Sequence, residues 1–295
     1  MTGIATARTL LVGPTRSLRL PSQAAAVARD GDTIRIAHGD YADCAVWHAS
    51  RLTILGEGAG ATFTGKTCQG KAIFVLDGDG TTIVNITFEH ATVPDGNGAG
   101  IRAEGGSLTV RHSRFLDNED GILTAAGPHW VILIRDSTFV GNGACIKACA
   151  HGLYAGHVAL LHIEHSRFIG TRVGHHVKSR ASRTELVDNV IMDGPDGTSS
   201  YLVDVPNGGD LLMKGNRLEK GPHSGNPGIA VSIGEEGVTQ PTRRLLIQGN
   251  VFTNDGPQST VFLRNMTTTP AVLVGNRWNG AVVPLDGPGT VSPPP

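Results

Sequence analysis

The chain has 295 residues, of which 40 are glycine, 17% are charged and 5% are aromatic, and its formal net charge is −1. That balance excludes a global field drawing it to nucleic acid or to an anionic membrane, and no apolar run reaches the roughly 18 to 20 residues that span a bilayer. The length suffices for a sizeable core, and a glycine-rich, lightly charged chain suits many short strands between tight turns better than helices.

Residues 1–20 carry basic groups and the short run Thr9-Leu10-Leu11-Val12, but no apolar stretch or cleavage site of a secretory leader. Residues 21–29 read as a short helix with Ser22 as N-cap. A turn at Asp30-Gly31-Asp32 and a strand over Thr33-Ile34-Arg35-Ile36 follow, then Gly39-Asp40-Tyr41. Cys44 and Cys68 flank a strand-like segment, a spacing that allows them to pair across neighbouring coils. Cys145 and Cys149 lie in a loop before His151, which leaves a loop disulfide, free thiols or a zinc site open.

Beyond residue 50 the chain repeats. The unit is an alternating apolar strand, a Ser or Asn, one variable residue and a large apolar anchor. It reads Leu108 to Ser113 and Phe115, then Ile132 to Ser137 and Phe139, Leu161 to Ser166 and Phe168, and Glu185 to Asn189 and Ile191. Further copies end Asn216-Arg-Leu218, Asn250-Val-Phe252 and Asn276-Arg-Trp278, while an earlier copy has Ile86 at the Ser/Asn position. The anchors recur about every 23 to 34 residues, a solenoid period. Second strands follow most anchors, beginning at Ile101, Ile122, Leu153, Val177, Leu202, Ile229 and Val261. The expected fold is an all-β, single-domain parallel β-helix over residues 21–286 with an N-terminal capping helix, followed by a mobile Pro/Gly-rich tail at 287–295. A β-sandwich would show hairpin turns and irregular spacing instead.

Alternation within the second strands turns Ile101, Ile122, Leu153 and Val177 inward. It turns Arg102, Glu104, Leu123, Tyr154, Lys178, Arg180, Leu202 and Asp204 outward on successive coils. The same alternation puts His176 beside Lys178 and Arg180 in a run from Arg172 to Arg183 that has no acidic residue. His175 then faces inward or toward a turn, and His151 stands at a strand mouth. Loops at 94–100, 141–150, 194–200 and 221–228 are placed to wall a groove. Asn118-Glu119-Asp120 and Asn207-Gly208-Gly209 read as turns.

The repeat, the N-terminal cap, His151-Gly-Leu-Tyr154, Gly174-His-His-Val-Lys-Ser-Arg180 and Asp204-Val-Pro-Asn-Gly-Gly209 together resemble the pectate-lyase-like right-handed β-helix superfamily over nearly the whole chain. The resemblance implies a polysaccharide-active enzyme that is secreted or periplasmic. In several of the superfamily's lyases an Arg or Lys abstracts the proton beside a uronate carboxylate, and many of them bind calcium. No convincing acidic calcium cluster is present in this sequence, so no metal or other cofactor is expected. Chemistry assigns Lys178 as base, with its basicity lowered by Arg180 and His176, Arg180 as carboxylate clamp, and His151 or Tyr154 as acid. His176, Asp204, Arg102, Glu104 and Asn207 are the expected substrate contacts, and the partner is an anionic polysaccharide or oligosaccharide. Other readings are a glycoside hydrolase using carboxylates among Glu104, Asp120 and Asp204, or a non-catalytic carbohydrate-binding or structural solenoid.

Overall fold

A computed structural model describes residues 7–293. Within them the chain winds as a parallel solenoid, and three sheets of twelve, ten and ten strands run along it. Each repeat supplies a strand to the long sheet, one to an anchor sheet and one to a third sheet that carries the candidate site. Leu108–Arg111, Arg114–Leu116 and Asp120–Thr124 form one such coil. The alternating strand and anchor of the repeat are thus two strands joined by a sharp corner.

That corner has one chemical solution along the solenoid. The residue before the Ser/Asn takes a left-handed backbone, as at His112 (φ 49°), His165 (φ 49°) and Asp188 (φ 53°), and it is glycine at Gly215, Gly249 and Gly275. Glycine meets this conformation without Cβ strain. The Ser/Asn side chains then stack in a buried ladder. Ser113 N donates to Ser137 Oγ (3.2 Å), Ser166 N to Asn189 Oδ1 (2.9 Å) and Asn216 N to Asn250 Oδ1 (2.9 Å). Ile86 ends the series without leaving a gap, because its N–H reaches Ser113 Oγ at 3.3 Å. The anchors stack beside the ladder, with ring centroids 4.6 Å apart for Phe115–Phe139 and 4.3 Å for Phe139–Phe168.

The ends differ from expectation. The helix is shorter, Pro21–Ala25, with Pro21 rather than Ser22 opening it and Leu20 at the N-cap position. Gln23 Oε1 accepts from Leu20 N at 3.2 Å, and this supplies the missing cap. The helix packs on Thr9–Val12 and on Ala45–Trp47, the terminal strand of the site sheet, where an open edge would otherwise face water. The N-terminal segment joins the solenoid, since Thr9–Val12 pairs with Thr33–Ile36; Met1 to Thr6 lie outside the described residues. Of the tail expected to be mobile, Gly289–Ser292 pairs with Ala271–Val274, and the last two prolines lie outside the described residues.

Cys44–Cys68 is a disulfide with Cα atoms 5.5 Å apart, as the spacing allowed. Cys145 and Cys149 are joined to each other, which removes the zinc reading.

Candidate functional site

The site sheet has the expected register. Ile101, Ile122, Leu153, Val177 and Val203 align and are fully buried. The neighbouring outward positions therefore align as Arg102, Leu123, Tyr154, Lys178 and Asp204. Strands stacked about 4.8 Å apart bring Tyr154, Lys178 and Asp204 together on three consecutive coils. Arg180 follows its strand and swings back, its Nε donating to Tyr154 Oη at 2.7 Å. Both cations lie near the Tyr154 ring, with Lys178 Nζ at 5.8 Å and the Arg180 guanidinium at 5.7 Å from its centroid.

Strand parity fails just before Val177. Val173 (φ 36°) and Gly174 (φ 67°) turn the chain with left-handed backbones, and the strand begins only at Val177. Extrapolating alternation back through this turn exchanges the two histidines. His176 is sealed inside the protein, bonded to Thr171 Oγ1 at 2.7 Å and to Asp193 Oδ1 at 2.9 Å, so it neither touches a ligand nor acts on Lys178. Leu202, expected outward, is buried for the same reason: its strand starts at Val203.

His175 stands on the site face instead, in a column of rings. His151 and His175 stack at 4.9 Å, and His175 and Tyr201 at 5.0 Å. Each imidazole is fixed by the next coil. His175 N donates to His151 Nδ1 at 3.0 Å, and Tyr201 N donates to His175 Nδ1 at 3.1 Å. A backbone N–H only donates, so both Nδ1 atoms present lone pairs and the proton of each neutral ring sits on Nε2. Burial, then the neighbouring His175 and the cations Lys178 and Arg180, hold His151 well below the usual histidine range. Burial first, then Lys178 and other cations, press His175 down to about 3. Both rings are therefore neutral hydrogen-bond donors near neutral pH.

Acidic groups complete the cluster. Lys178 Nζ lies 3.4 Å from Asp204 Oδ2 and 2.9 Å from Glu236 Oε1, and Arg180 Nη2 lies 2.6 Å from Glu236 Oε2. Burial pushes the Asp204 carboxyl up to about 6 against the pull of Lys178, and its Oδ1 is buried with no hydrogen-bond partner. A cavity of about 210 Å³ opens here, lined by His175, Lys178, Tyr201, Asp204, Pro206, Glu235 and Glu236.

Other expected residues take different parts. Asn207 opens the predicted turn, with Gly208 at φ 76°, and its Oδ1 accepts from Arg180. Arg102 and Glu104 lie further along the face, beyond Leu123. They pair with each other at 3.2 Å, while Lys71 reaches Glu104 at 2.6 Å. Asp120 is buried beneath the site, where its Oδ1 accepts His151 N at 2.7 Å; burial pushes its carboxyl up to about 8. Among the described residues no three His, Cys, Asp or Glu side chains are grouped so as to hold a metal.

Sequence reasoning passed over His175, Tyr201, Glu235 and Glu236. The rings had a signal, since His151, His175 and Tyr201 are 24 and 26 residues apart, one coil each. The two glutamates had none, because residues 234–244 return from the site sheet to the long sheet, on the opposite flank from the four loops expected to wall the groove.

Two solved structures share this architecture. An alginate lyase from Paenibacillus sp. str. FPU-7 superposes with a TM-score of 0.54 at 16% identity, over 93% of this chain and 99% of that one. The pectate lyase Pel9A superposes with a TM-score of 0.52 at 12% identity, over 98% of this chain and 78% of that one. Among curated proteins no sequence matches. The sequence pattern described as the right handed beta helix region matches residues 22–191, more than half of the chain, and the protein belongs to that family.

Proposed function

We propose that this protein acts on a uronate-containing polysaccharide by β-elimination or C5 epimerisation, with Lys178, Tyr154 and Arg180 at the reacting centre. The observation that carries the reading is the meeting of a lysine, a tyrosine hydroxyl and a guanidinium on adjacent coils of one open sheet face. Names alone also point this way, since the two similar folds are called lyases of alginate and of pectate.

In this mechanism the uronate carboxylate faces Arg180, which Asn207 braces, and the charge developing on it in the transition state is met by a fixed cation. Lys178 takes the proton from C5. For elimination, the electron pair of that C–H bond forms the C4–C5 double bond as the C4–O bond breaks. Tyr154, hydrogen-bonded to Arg180, gives its proton to the departing oxygen. Epimerisation shares the first step, followed by return of a proton to C5 from the opposite face. His151 is less suited to act as the acid, because its Nδ1 already accepts a backbone N–H and its ring is held neutral.

A panel of alginate, pectate and other uronate polymers tests the reading, followed by ultraviolet absorbance of an unsaturated product and by proton exchange at C5. Lys178→Ala and Tyr154→Phe are each expected to lower turnover at least about a hundredfold with the fold intact by circular dichroism. Full activity in both variants removes the proposed centre.

A second reading rests on Asp204. Its carboxyl is raised by burial and lines a cavity that Glu235 also lines, as an acid and a carboxylate would in a glycoside hydrolase. New reducing ends without the absorbance of an unsaturated sugar would select it.

Two disulfides account for all four cysteines, and bonds of this kind persist in oxidising compartments. This supports a secreted or periplasmic location. Among the described residues no helix is long and apolar enough to cross a membrane.

A further inference from the structure

We propose that Glu236 is a specificity-determining residue: its carboxylate occupies the seat of the substrate's carboxylate and must be displaced by an acidic sugar for the polymer to bind. The inference rests on the reading of Arg180, beside Lys178, as the seat of the uronate carboxylate. It adds which charge the centre holds at rest and which ligands can replace it.

Geometry carries the argument. One carboxylate bridges both cations, with Oε1 2.9 Å from Lys178 Nζ and Oε2 2.6 Å from Arg180 Nη2. The carboxylate held against the Arg180 guanidinium lies where a uronate carboxylate would lie. The cations are recessed, at 11% and 25% side-chain exposure, whereas Glu236 is 45% exposed and lies on the solvent side of them. It can therefore leave without unpacking the core. Asp204 is buried and remains with Lys178, so the departure of Glu236 leaves the Arg180 guanidinium without its carboxylate partner.

The supporting segment is built to present this side chain. Gly234 (φ 88°) and Gly237 (φ 92°) bracket the glutamates in left-handed turns. Glu236 N donates to Pro206 O at 2.9 Å, and Thr239 N and Gln240 N donate to Asn207 O at 3.0 and 2.9 Å. The backbone is thus pinned over the coil that holds Asp204, while rotation of the Glu236 side chain alone opens the seat. A neutral or esterified sugar brings no charge to exchange for the one it displaces, and is refused.

Calorimetry with trimers of galacturonate, mannuronate and guluronate tests this, with fully methyl-esterified galacturonate trimer as the neutral control. Glu236→Gln is expected to tighten binding of the preferred acidic trimer about ten- to a hundredfold, the size of one charge-assisted contact. The esterified trimer, refused by the wild type, should gain measurable affinity for the variant, because no charge then has to be displaced. KM should fall with kcat little altered, which a merely structural role would not produce. In the 13C-labelled wild-type protein, the Glu236 carboxyl resonance should move on saturation with the acidic trimer, a readout independent of whether the variant folds. Acidic trimers that bind the wild type but bind Glu236→Gln equally or more weakly overturn the role of Glu236 and leave the anion centre standing. Acidic and esterified trimers bound alike by the wild type, or no acidic trimer bound by either form, overturn both.

Discussion

Lys178, Arg180 and Tyr154 owe their properties to neighbours that are distant in sequence. Lys178 lies against Asp204 and Glu236, 26 and 58 residues away, and the run of cations around it looked unbalanced only because its counter-charges arrive from later coils. Nearby, the buried carboxyl of Asp120 and the partly buried ring of His175 give pH dependence of opposite sign. Asp120 has its folded pKa raised to about 8, so between about 4 and 8 the folded state holds a proton that the unfolded state has lost. Its contribution to stability falls as pH rises through that window. His175 has its folded pKa lowered to about 3, so below about 6.5 the unfolded state binds the extra proton, and stability falls as pH drops. Denaturant unfolding from pH 4 to 8 should show Asp120→Asn removing a downward slope and His175→Asn removing an upward one. The asparagine in the second variant keeps an acceptor for Tyr201 N. Slopes that change in the same direction would show that these groups titrate otherwise.

At the scale of the element, the Ser/Asn ladder couples each coil to the next. Asn216 accepts from Asn189 N at 2.9 Å and donates to Leu186 O and Asn250 Oδ1, both at 2.8 Å, with all partners buried. Asn216→Ala takes the acceptor from Asn189 N and removes both donated bonds in the interior, and should cost about 3 kcal/mol of unfolding free energy. A loss below about 0.5 kcal/mol, as seen at surface positions, would mean that water replaces the side chain. The ladder was legible because a polar residue at one fixed offset from a large apolar anchor has few other uses. The short strands of the site sheet were less legible. Val177–Ser179 has three residues, and parity read from so short a strand does not survive the left-handed turn before it. His175 and His176 therefore exchanged roles.

Across the whole molecule, the aligned positions from Arg102 to Asp204 cover five coils, about 19 Å at the spacing of paired strands. A face of that length suits an extended polymer, and Arg102 stands at its far end. Arg102→Ala should raise KM for long chains severalfold while leaving a disaccharide unaffected; an equal effect on both would place Arg102 outside the binding face. The four loops between anchor and site sheets form one flank of this face, and residues 234–244 form the other.

By itself the sequence determined the solenoid, its register and the face that carries Tyr154, Lys178, Arg180 and Asp204. Those follow from period and alternation, which each coil restates locally and which stacking can only continue. Only the tertiary structure decided which histidine meets solvent, which rings stack, and that Glu236 reaches back to close the pair of cations. Such contacts depend on how a turn rotates the chain and where a loop folds over a neighbouring coil, and neither leaves a repeating mark in the order of residues.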